Sequence, residues 1–313
     1  MKKISFIIPC YNEEDNVIKF YNKVNDIFKD RIKDIELIFV DDGSKDNTLE
    51  NIKKLYKEFK NINYISFSRN FGKEAAILAG LKESKGEYTV IIDADLQQNP
   101  KYVLEMEKIL DENKEYDVVC CVQEKRKENI FKKVFKKAFY KIYKSMLKMD
   151  VMDSASDFRL MRRNVLEAII SLPETIRFSK GLFTWVGFNT YYISYKVEDR
   201  YSGKSKWSIS KLFKYAFDGI VGFSDAPLFW TLKLGLFFVV IAVLGLIAIL
   251  VLFIIGIKMP TISLIIICAL FLLSGSTLIS NGILGKYLSN AYNESKNRPS
   301  YIIKESKTND KKD

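Results

Sequence analysis

The stretch VIIDADLQQNP, residues 90–100, is an apolar run that ends in acidic and amide side chains. We interpret the run as a buried strand that reaches solvent at Asp93. Because side chains alternate along a strand, Asp93 and Asp95 are expected to point the same way, and Gln97 to turn back towards them. Such acidic pairs are often simply solvated. If a cation lies between the carboxylates, oxygen ligands alone favour Mg²⁺ or Mn²⁺, which would in turn bind a diphosphate.

The first third of the chain alternates short apolar runs with helical patterns. The runs are ISFII (4–8), IELIFV (35–40), INYISF (62–67) and YTVII (88–92), and the helical patterns cover 16–28, 48–59 and 74–83. This alternation predicts an α/β domain with a largely parallel sheet. Ligands bind outside the carboxyl ends of such strands. The polar clusters PCYNEED, DDGSKDN, SRNFGKE and DADLQQ all fall there.

Two apolar segments in tandem, 229–257 and 260–285, are each long enough to cross a bilayer. Their short connection predicts an antiparallel hairpin. Lys and Arg are abundant on both outer flanks, whereas the connection has only Lys258, so both flanks are expected in the cytoplasm. We therefore predict a multi-pass protein of the cytoplasmic membrane whose basic tail, 289–313, is cytoplasmic, with the part after Asn297 disordered.

Two further segments, 129–148 and 205–227, place apolar residues on one helical face and lysines on the other. Amphipathic helices of this kind suit the headgroup layer of an anionic membrane. The alternative is that they are ordinary helices covering the sheet. The net charge of +11 is concentrated in the region 123–148, so we expect it to serve membrane contact and not nucleic-acid binding.

The chain has no histidine, which excludes His-based catalysis and leaves Asp, Glu, Lys or Tyr for any proton transfer. Its four cysteines have no metal-ligand spacing and are expected to be reduced thiols. In DDGSKD, a carboxylate at the end of the second strand can accept hydrogen bonds from a base or a ribose, and Gly43 permits a tight turn.

The motifs FIIPCYNEEDN, FVDDGSKDNT, RNFGKEAAILAGL and DADLQQNP resemble those of family 2 glycosyltransferases with the GT-A fold. The resemblance is strongest to the polyprenyl-phosphate branch, with dolichyl-phosphate mannose synthase and bacterial undecaprenyl-phosphate glycosyltransferases. SASDFRLMRR (154–163), DRYSGKSKWS (199–208) and the paired apolar segments extend it along nearly the whole chain. It implies a GT-A catalytic domain over 1–204.

The resemblance also implies a role for particular residues. The nucleotide sugar would contact Pro9, Tyr11, Glu13, Asp42, Lys73 and Asp93, and the metal would be held by Asp93, Asp95 and Gln97. Asp157 and Asp95 would be catalytic, and the lipid phosphate would bind Arg126, Arg159, Arg200, Ser202 and Lys204, with Ser205 adding a hydroxyl. Lys204 departs from the pattern of the branch, so either it or Lys206 could meet the phosphate.

Several of these residues have alternative structural roles. Glu13 could stabilise the first turn of the following helix through its charge. Asp157 could cap a helix that starts near Arg159. Arg126 lies in EKRKE, where a neighbouring lysine could replace it.

The activity implied is metal-dependent, inverting transfer of one sugar from a nucleotide-diphosphate sugar, expected to be UDP-linked, to a polyprenyl phosphate, expected to be undecaprenyl phosphate. A non-catalytic membrane scaffold that binds a nucleotide sugar is one alternative. A processive polysaccharide synthase is another, although the chain lacks its Q-x-x-R-W sequence. The donor sugar and any homo-oligomeric state are left open.

Overall fold

The computed structural model describes residues 3–123, 155–174, 177, 179–196, 226–256 and 262–308. The predicted amphipathic segment 129–148, nearly all of the segment 205–227, and the predicted phosphate-binding residues Arg126, Arg200, Ser202, Lys204 and Ser205 lie outside these ranges.

The described strands form one mixed sheet in the order β7-β5-β6-β4-β1-β2-β3-β8. They are β1 (Ile4–Cys10), β2 (Ile35–Asp41), β3 (Ile62–Phe67), β4 (Tyr88–Ile91), β5 (Val118–Gln123), β6 (Ala155–Arg162), β7 (Thr190–Tyr195) and β8 (Ile303–Lys307). Strands β1 to β4 pair in parallel, as the sequence predicted. Strand β6 runs antiparallel to β4 and β5, β7 is parallel to β5, and β8 is antiparallel to β3.

The helices of the sheet-containing part are α1 (Val17–Ile27), α2 (Thr48–Glu58), α3 (Lys73–Glu83), α4 (Tyr102–Glu112), α5 (Arg163–Ser171) and α6 (Ser179–Trp185), and a 3₁₀ turn covers Lys29–Asp34. The four predicted strands and three predicted helices are confirmed, with ends that differ by at most two residues. Helix α1 buries Val17, Phe20, Tyr21 and Val24, the spacing of a single apolar face.

Strands β1 to β4 are buried on both faces, which explains why they read as continuous apolar runs. Along β1, Phe6 and Ile8 belong to one core cluster and Ile7 to the other, because successive side chains point to opposite faces. Helix α3 packs closely on the second face: a Cβ at Gly80 would collide with the side chain of Ile7. This close approach fixes where α3 begins relative to the carboxyl end of β1.

The expectation of a disordered C-terminal tail is wrong for its described part. Residues 303–307 form β8, which continues the sheet beyond β3, and Ser68 N donates to Ile302 O at 3.0 Å. The Lys53 ammonium lies 2.7 Å from the Glu305 carboxylate. A lysine-rich composition predicted disorder, but the unpaired edge of β3 offers backbone partners that composition does not reveal.

The described chain divides into two compact units, one containing the sheet and residues from Arg298 onwards, and one containing two long helices. The helices are α7 (Ala226–Ile255) and α8 (Ile262–Ser295), and they contact each other. Among the described residues, one segment, Pro227–Gly245, is long and apolar enough to cross a membrane, with a mean hydropathy of 2.2. The second predicted crossing, 260–285, and the hairpin remain predictions.

Candidate functional site

The predicted polar clusters lie together at the carboxyl edge of the parallel strands, where β1, β2, β3 and β4 end. Strand β6 starts at this edge because it runs antiparallel to β4. Ile91, the last residue of β4, pairs with Arg159 of β6. The DAD stretch, which follows Ile91, therefore lies near the SDFRL stretch at the start of β6.

The Lys73 ammonium lies between these two carboxylates. Its Nζ is 2.7 Å from Asp93 Oδ1 and 3.0 Å from Asp157 Oδ2. Burial works against the charged ammonium, but the two carboxylates outweigh burial and raise the pKa of Lys73. Burial also raises the pKa of Asp93, an effect that Lys73 opposes and Asp157 strengthens. Lys73 thus supplies the positive charge that holds this acidic cluster together.

The argument that Asp93 and Asp95 alternate along a strand is wrong, because β4 ends at Ile91. The DAD stretch lies in the turn that follows, where Leu96 adopts a left-handed φ of 62°. In this turn Asp95 Oδ1 accepts a hydrogen bond from the Gln97 backbone N–H at 3.2 Å. Asp93 and Asp95 therefore share a turn and not a strand, and the charge of Asp95 acts to raise the pKa of Asp93.

The amide side chain that contacts Asp93 belongs to Gln98. Its Oε1 accepts from Asp93 N at 3.0 Å, and its Nε2 donates to Asp93 Oδ2 at 3.4 Å. Gln98 is 7% exposed, whereas Gln97 is half-buried and holds Asp95 through its main chain. The sequence alone does not indicate that the Gln98 side chain turns back to Asp93, because this contact lies in a turn in which Leu96 is left-handed.

The DDG turn is built by hydrogen bonds to its two buried aspartates. Asp42 accepts from the backbone N–H groups of Phe71 at 2.6 Å and of Gly72 at 2.9 Å. Burial raises the pKa of Asp42, and these two N–H groups oppose the rise. Asp41 accepts from Ser66 Oγ at 2.8 Å. Asp41 therefore joins the end of β2 to β3, and Asp42 joins it to the loop that leads from β3 into α3.

The loop after β1 lies beside the DDG turn. Asn12, with a left-handed φ of 53°, donates its N–H to Ser44 Oγ at 3.0 Å, and its Oδ1 accepts from Lys45 N at 2.9 Å. These contacts were not anticipated from the sequence. Pro9 pairs with Val40 within the sheet, and Tyr11, two residues further on, is half-buried.

Glu13 lies before helix α1 and not in its first turn, which contains no acid. Its carboxylate accepts from Asn16 Nδ2 at 2.7 Å, and its N–H donates to Thr48 Oγ1 at 2.7 Å. The alternative role for Glu13, stabilising the first helical turn, is therefore wrong as stated. Glu13 instead connects the loop after β1 to the start of α2.

Asp157 and Arg159 both lie in strand β6, and the next helix starts only at Arg163, so Asp157 does not cap a helix near Arg159. Arg159 is 6% exposed, and its guanidinium lies 3.9 Å from the centre of the Phe183 ring. One terminal nitrogen donates to Ser156 O at 2.9 Å. Within the described residues, its Nε has no hydrogen-bond partner.

The described residues contain no cluster of three or more His, Cys, Asp or Glu side chains that could hold a metal. The chemistry of the site still fits a hard divalent ion, because Asp93 and Asp95 offer carboxylate oxygens in one turn beside the amide of Gln98. One of the Asp93 oxygens is bonded to Lys73. A metal ion bound there would have to compete with this ammonium.

The sequence matches known proteins along most of its length. The family model described as Glycosyl transferase family 2 matches residues 5–170. A Bacillus subtilis protein named putative glycosyltransferase CsbB is 40% identical over 303 residues, which cover 96% of this chain and 91% of that protein. The bactoprenol glucosyl transferase of Shigella phage SfV is 35% identical over 308 residues, which cover 97% and 99%.

Among solved structures, glucosyl-3-phosphoglycerate synthase of M. tuberculosis is similar, with 19% identity, a TM-score of 0.49, and coverage of 70% of this chain and 78% of that chain. The family match spans more than half of the chain and includes the turns after β2 and β4 that carry Asp42 and Asp93, and strand β6, which carries Asp157. The relatives align from end to end with at least 35% identity in the two cases given. The chain is a glycosyltransferase and belongs to glycosyl transferase family 2.

Proposed function

We propose that this glycosyltransferase moves a single sugar from a UDP-sugar to undecaprenyl phosphate. The observation that carries the proposal is the Lys73 ammonium, which bonds to Asp93 in the DAD turn and to Asp157 in β6. The same ammonium thus contacts Asp93, which is expected on the donor side, and Asp157, which is expected on the acceptor side. Full-length similarity to a bactoprenol glucosyl transferase supports the choice of acceptor.

On the donor side, we place the nucleotide between the loop after β1, with Pro9, Tyr11 and Glu13, and the DDG turn. Asp42 has both carboxylate oxygens bonded to backbone N–H groups, so its orientation is fixed before any ligand arrives. A carboxylate oxygen can still accept a second hydrogen bond from a base or ribose donor. Such prior ordering reduces the entropy lost on binding.

On the acceptor side, Arg159 supports binding of a phosphate. It is a buried cation, and no carboxylate lies within salt-bridge distance of it in the described part of the chain. A buried charge without a counter-ion is costly, and a phosphate oxygen would relieve that cost. Arg126, Arg200, Ser202 and Lys204 are proposed to complete the phosphate site on the strength of their motifs.

The reaction needs little proton transfer. A lipid phosphate monoester is mainly a dianion at neutral pH, because its second pKa is about 6. One of its oxygens forms a bond to the anomeric carbon while the bond from that carbon to the β-phosphate oxygen breaks, with inversion, and the electron pair leaves with UDP. Asp157 then serves to orient the acceptor phosphate and the Lys73 ammonium. Because little proton transfer is needed, the reaction is compatible with a chain that lacks histidine.

The leaving diphosphate gains negative charge as that bond breaks, and Mg²⁺ or Mn²⁺ held by Asp93, Asp95 and Gln97 would neutralise it when bound. Gln98 holds Asp93 through its backbone and its carboxylate. The backbone of Gln97 fixes one oxygen of Asp95 in the same way. These contacts preset the two carboxylates for an oxygen-binding ion.

We further propose that the enzyme is a multi-pass protein of the cytoplasmic membrane. Strand β8 belongs to the same sheet as β1, so the chain leaves the sheet-containing unit before residue 226 and returns to it by residue 303. A chain that returns to the same folded unit must cross a bilayer an even number of times in between. If Pro227–Gly245 crosses, a second crossing is required, and 260–285 is the segment that meets this need.

A donor panel tests the proposal. The purified full-length protein is incubated with undecaprenyl phosphate, Mn²⁺ and UDP-, GDP- or CMP-linked sugars, and the lipid product is read by mass spectrometry. We expect one hexose or aminohexose per lipid and an equal amount of released UDP. Binding of UDP without any product would favour the non-catalytic scaffold, and polymeric product would favour a processive synthase.

A further inference from the structure

Strand β8 touches the part of the sheet that leads directly into the donor site. It pairs with β3 up to Phe67, with an irregularity in register between Ser66 and Phe67. The last backbone bond of this pairing, from Ser68 N to Ile302 O, lies at the start of the loop 68–72. That loop ends where helix α3 begins, at Lys73.

An aromatic column continues the contact from the C-terminal segment into this loop. The Tyr301 ring stacks on the Phe67 ring with centroids 4.9 Å apart and planes inclined by 14°. Phe67 in turn meets the Phe71 ring edge to face at 5.8 Å. Phe67 is 1% exposed, so the column is anchored in the core.

The far end of the column is the backbone that holds Asp42. Phe71 N and Gly72 N are the two donors to the Asp42 carboxylate. The loop also lies directly on the DDG turn, since a Cβ at Gly43 would be 2.5 Å from the Arg69 carbonyl carbon. Movement of the loop would therefore move Asp42, Gly43 and Lys73 together.

We propose that the C-terminal segment 301–307 is a positioning element of the donor site, and that Tyr301 is its central positioning residue. Tyr301 acts through Phe67 and Phe71 on the backbone N–H groups that orient Asp42. This inference rests on the proposed function, because it assumes that the DDG turn binds the nucleotide. It assigns a role in substrate binding to a segment that follows the long helices.

The test compares Tyr301→Ala with Tyr301→Phe and Tyr56→Ala in the full-length protein. Tyr56 is a matched control, since it is also half-buried against the core and meets the Tyr64 ring edge to face at 5.4 Å, but it lies on α2 away from the loop. Two quantities are measured: the dissociation constant of UDP in the presence of Mn²⁺, and hydrogen exchange of peptides that cover 68–73.

We expect Tyr301→Ala to weaken UDP binding by about threefold to tenfold, the range that the loss of one aromatic pair can transmit. Exchange at Phe71 and Gly72 should speed up in the same variant. Tyr301→Phe should have the wild-type UDP affinity and the wild-type exchange rate, because it keeps the ring. Tyr56→Ala should lower the melting temperature without changing either quantity.

The inference is overturned if Tyr301→Ala keeps wild-type exchange over 68–73, or if it keeps wild-type UDP affinity while exchange increases. It is also overturned if Tyr56→Ala weakens UDP binding equally, since the effect would then be general destabilisation. A wild-type protein that fails to bind UDP would contradict the proposed function instead, and the exchange measurement would still show whether Tyr301 orders the loop.

Discussion

The Lys73 ammonium donates to the Asp157 carboxylate at 3.0 Å, a contact between residues 84 positions apart in the sequence. The same ammonium lies 2.7 Å from Asp93. Two further carboxylates, Asp95 and Asp157, lie near enough to raise the cost of ionising Asp93. Among the described residues, Lys73 is therefore the cation paired with Asp93 and Asp157, and its removal should have two separable effects.

Lys73→Met is expected to destabilise the metal-free protein and to increase its stabilisation by Mn²⁺. Removing one partner of a buried ion pair costs about 3–5 kcal/mol, and we expect about 1–3 kcal/mol here because the Lys73 side chain is 38% exposed. Mn²⁺ should restore more stability in the variant than in the wild type, because the ion replaces the missing charge. Melting temperatures in EDTA and in Mn²⁺ measure both effects.

Lys82→Met is the matched control, because Lys82 lies on the same helix and its side chain is exposed. It should melt like the wild type in both solutions. If Lys73→Met melts like the wild type in EDTA, Lys73 is not the counter-ion of the cluster.

The sheet around this site was only partly predictable. Strands β1 to β4 were recognisable because they are buried on both faces and read as apolar runs. Strand β8 has the sequence IKESK, with one apolar residue, and its conformation depends on pairing with β3, a contact distant in sequence. No local pattern carries such information.

The candidate site was also only partly predictable from the sequence. The apolar runs placed Asp42 and Asp93 near the carboxyl ends of two parallel strands, whereas no strand was predicted at Asp157, which lies in β6. The closeness of Lys73 to Asp157 depends on β6 lying next to β4, an order that the sequence does not state. The contact of the Gln98 side chain with Asp93 was not predictable either, because it lies in a turn in which Leu96 has a positive φ, which this residue type seldom adopts.

Asp95→Ala is expected to abolish formation of the sugar phospholipid. Loss of an outer-shell partner of a metal ligand typically costs about 10- to 100-fold, and loss of a proposed ligand should cost at least as much. Product formation is measured by mass spectrometry, with Asp46→Ala as a control in the neighbouring β2 loop, where Asp46 bonds to Thr48. Full turnover by Asp95→Ala with the metal chelated would contradict the proposed metal site.

Gly43→Ala is expected to disturb the DDG turn for two reasons. Gly43 has a φ of 65°, and a left-handed conformation costs a residue with a Cβ about 1–2 kcal/mol. The added Cβ would also press against the backbone of Arg69, and overpacking of this kind adds about 1–3 kcal/mol. UDP affinity should fall together with the melting temperature.

Gly187→Ala separates the two effects. Gly187 has a similar φ of 73°, but a Cβ there would meet only the Trp185 carbonyl oxygen at 4.0 Å. It should show the conformational cost alone and bind UDP normally. Equal stability losses in the two variants would mean that contact with Arg69 does not constrain the turn.

Arg159→Met is expected to weaken binding of the acceptor and to leave binding of the donor unaffected. A hydrogen bond to a charged group contributes about 1.5–3 kcal/mol, so the KM for undecaprenyl phosphate should rise by about 10- to 100-fold. The free protein should be as stable as the wild type or more so, because the variant replaces a buried cation, for which the described residues supply no carboxylate, with an apolar side chain.

Arg162→Met, on the same strand, should affect stability and not acceptor binding. Arg162 donates to Tyr116 O at 2.9 Å and to Leu110 O at 2.5 Å, so its loss should lower stability and leave the KM for the acceptor unchanged. An unchanged acceptor KM in Arg159→Met would remove Arg159 from the phosphate site.

A pH-dependent contact lies at the amino ends of β1 and β4, away from the candidate site, and is independent of the proposed sugar transfer. Asp111 accepts from Tyr88 Oη at 2.6 Å and from Lys3 Nζ at 3.1 Å. Burial alone would raise the pKa of Asp111, but these hydrogen bonds outweigh burial and lower it. A carboxylate whose pKa is lower in the folded state stabilises the fold above its unfolded pKa of about 3.9, and this stability is lost as the pH falls through the folded pKa.

Asp111→Asn should therefore be less stable than the wild type at pH 7, by less than about 1 kcal/mol because the Asp111 side chain is 42% exposed. The difference should shrink as the pH falls below about 3.9, since the wild type then loses its charge as well. Melting curves at pH 7 and pH 3 measure it, and Asp26→Asn at an exposed position should show no difference at either pH. Since Asp111 lies at the edge of the sheet opposite the DAD turn, transferase activity at pH 7 should be retained; a variant that lost activity while keeping its stability would show that the two edges of the sheet are coupled.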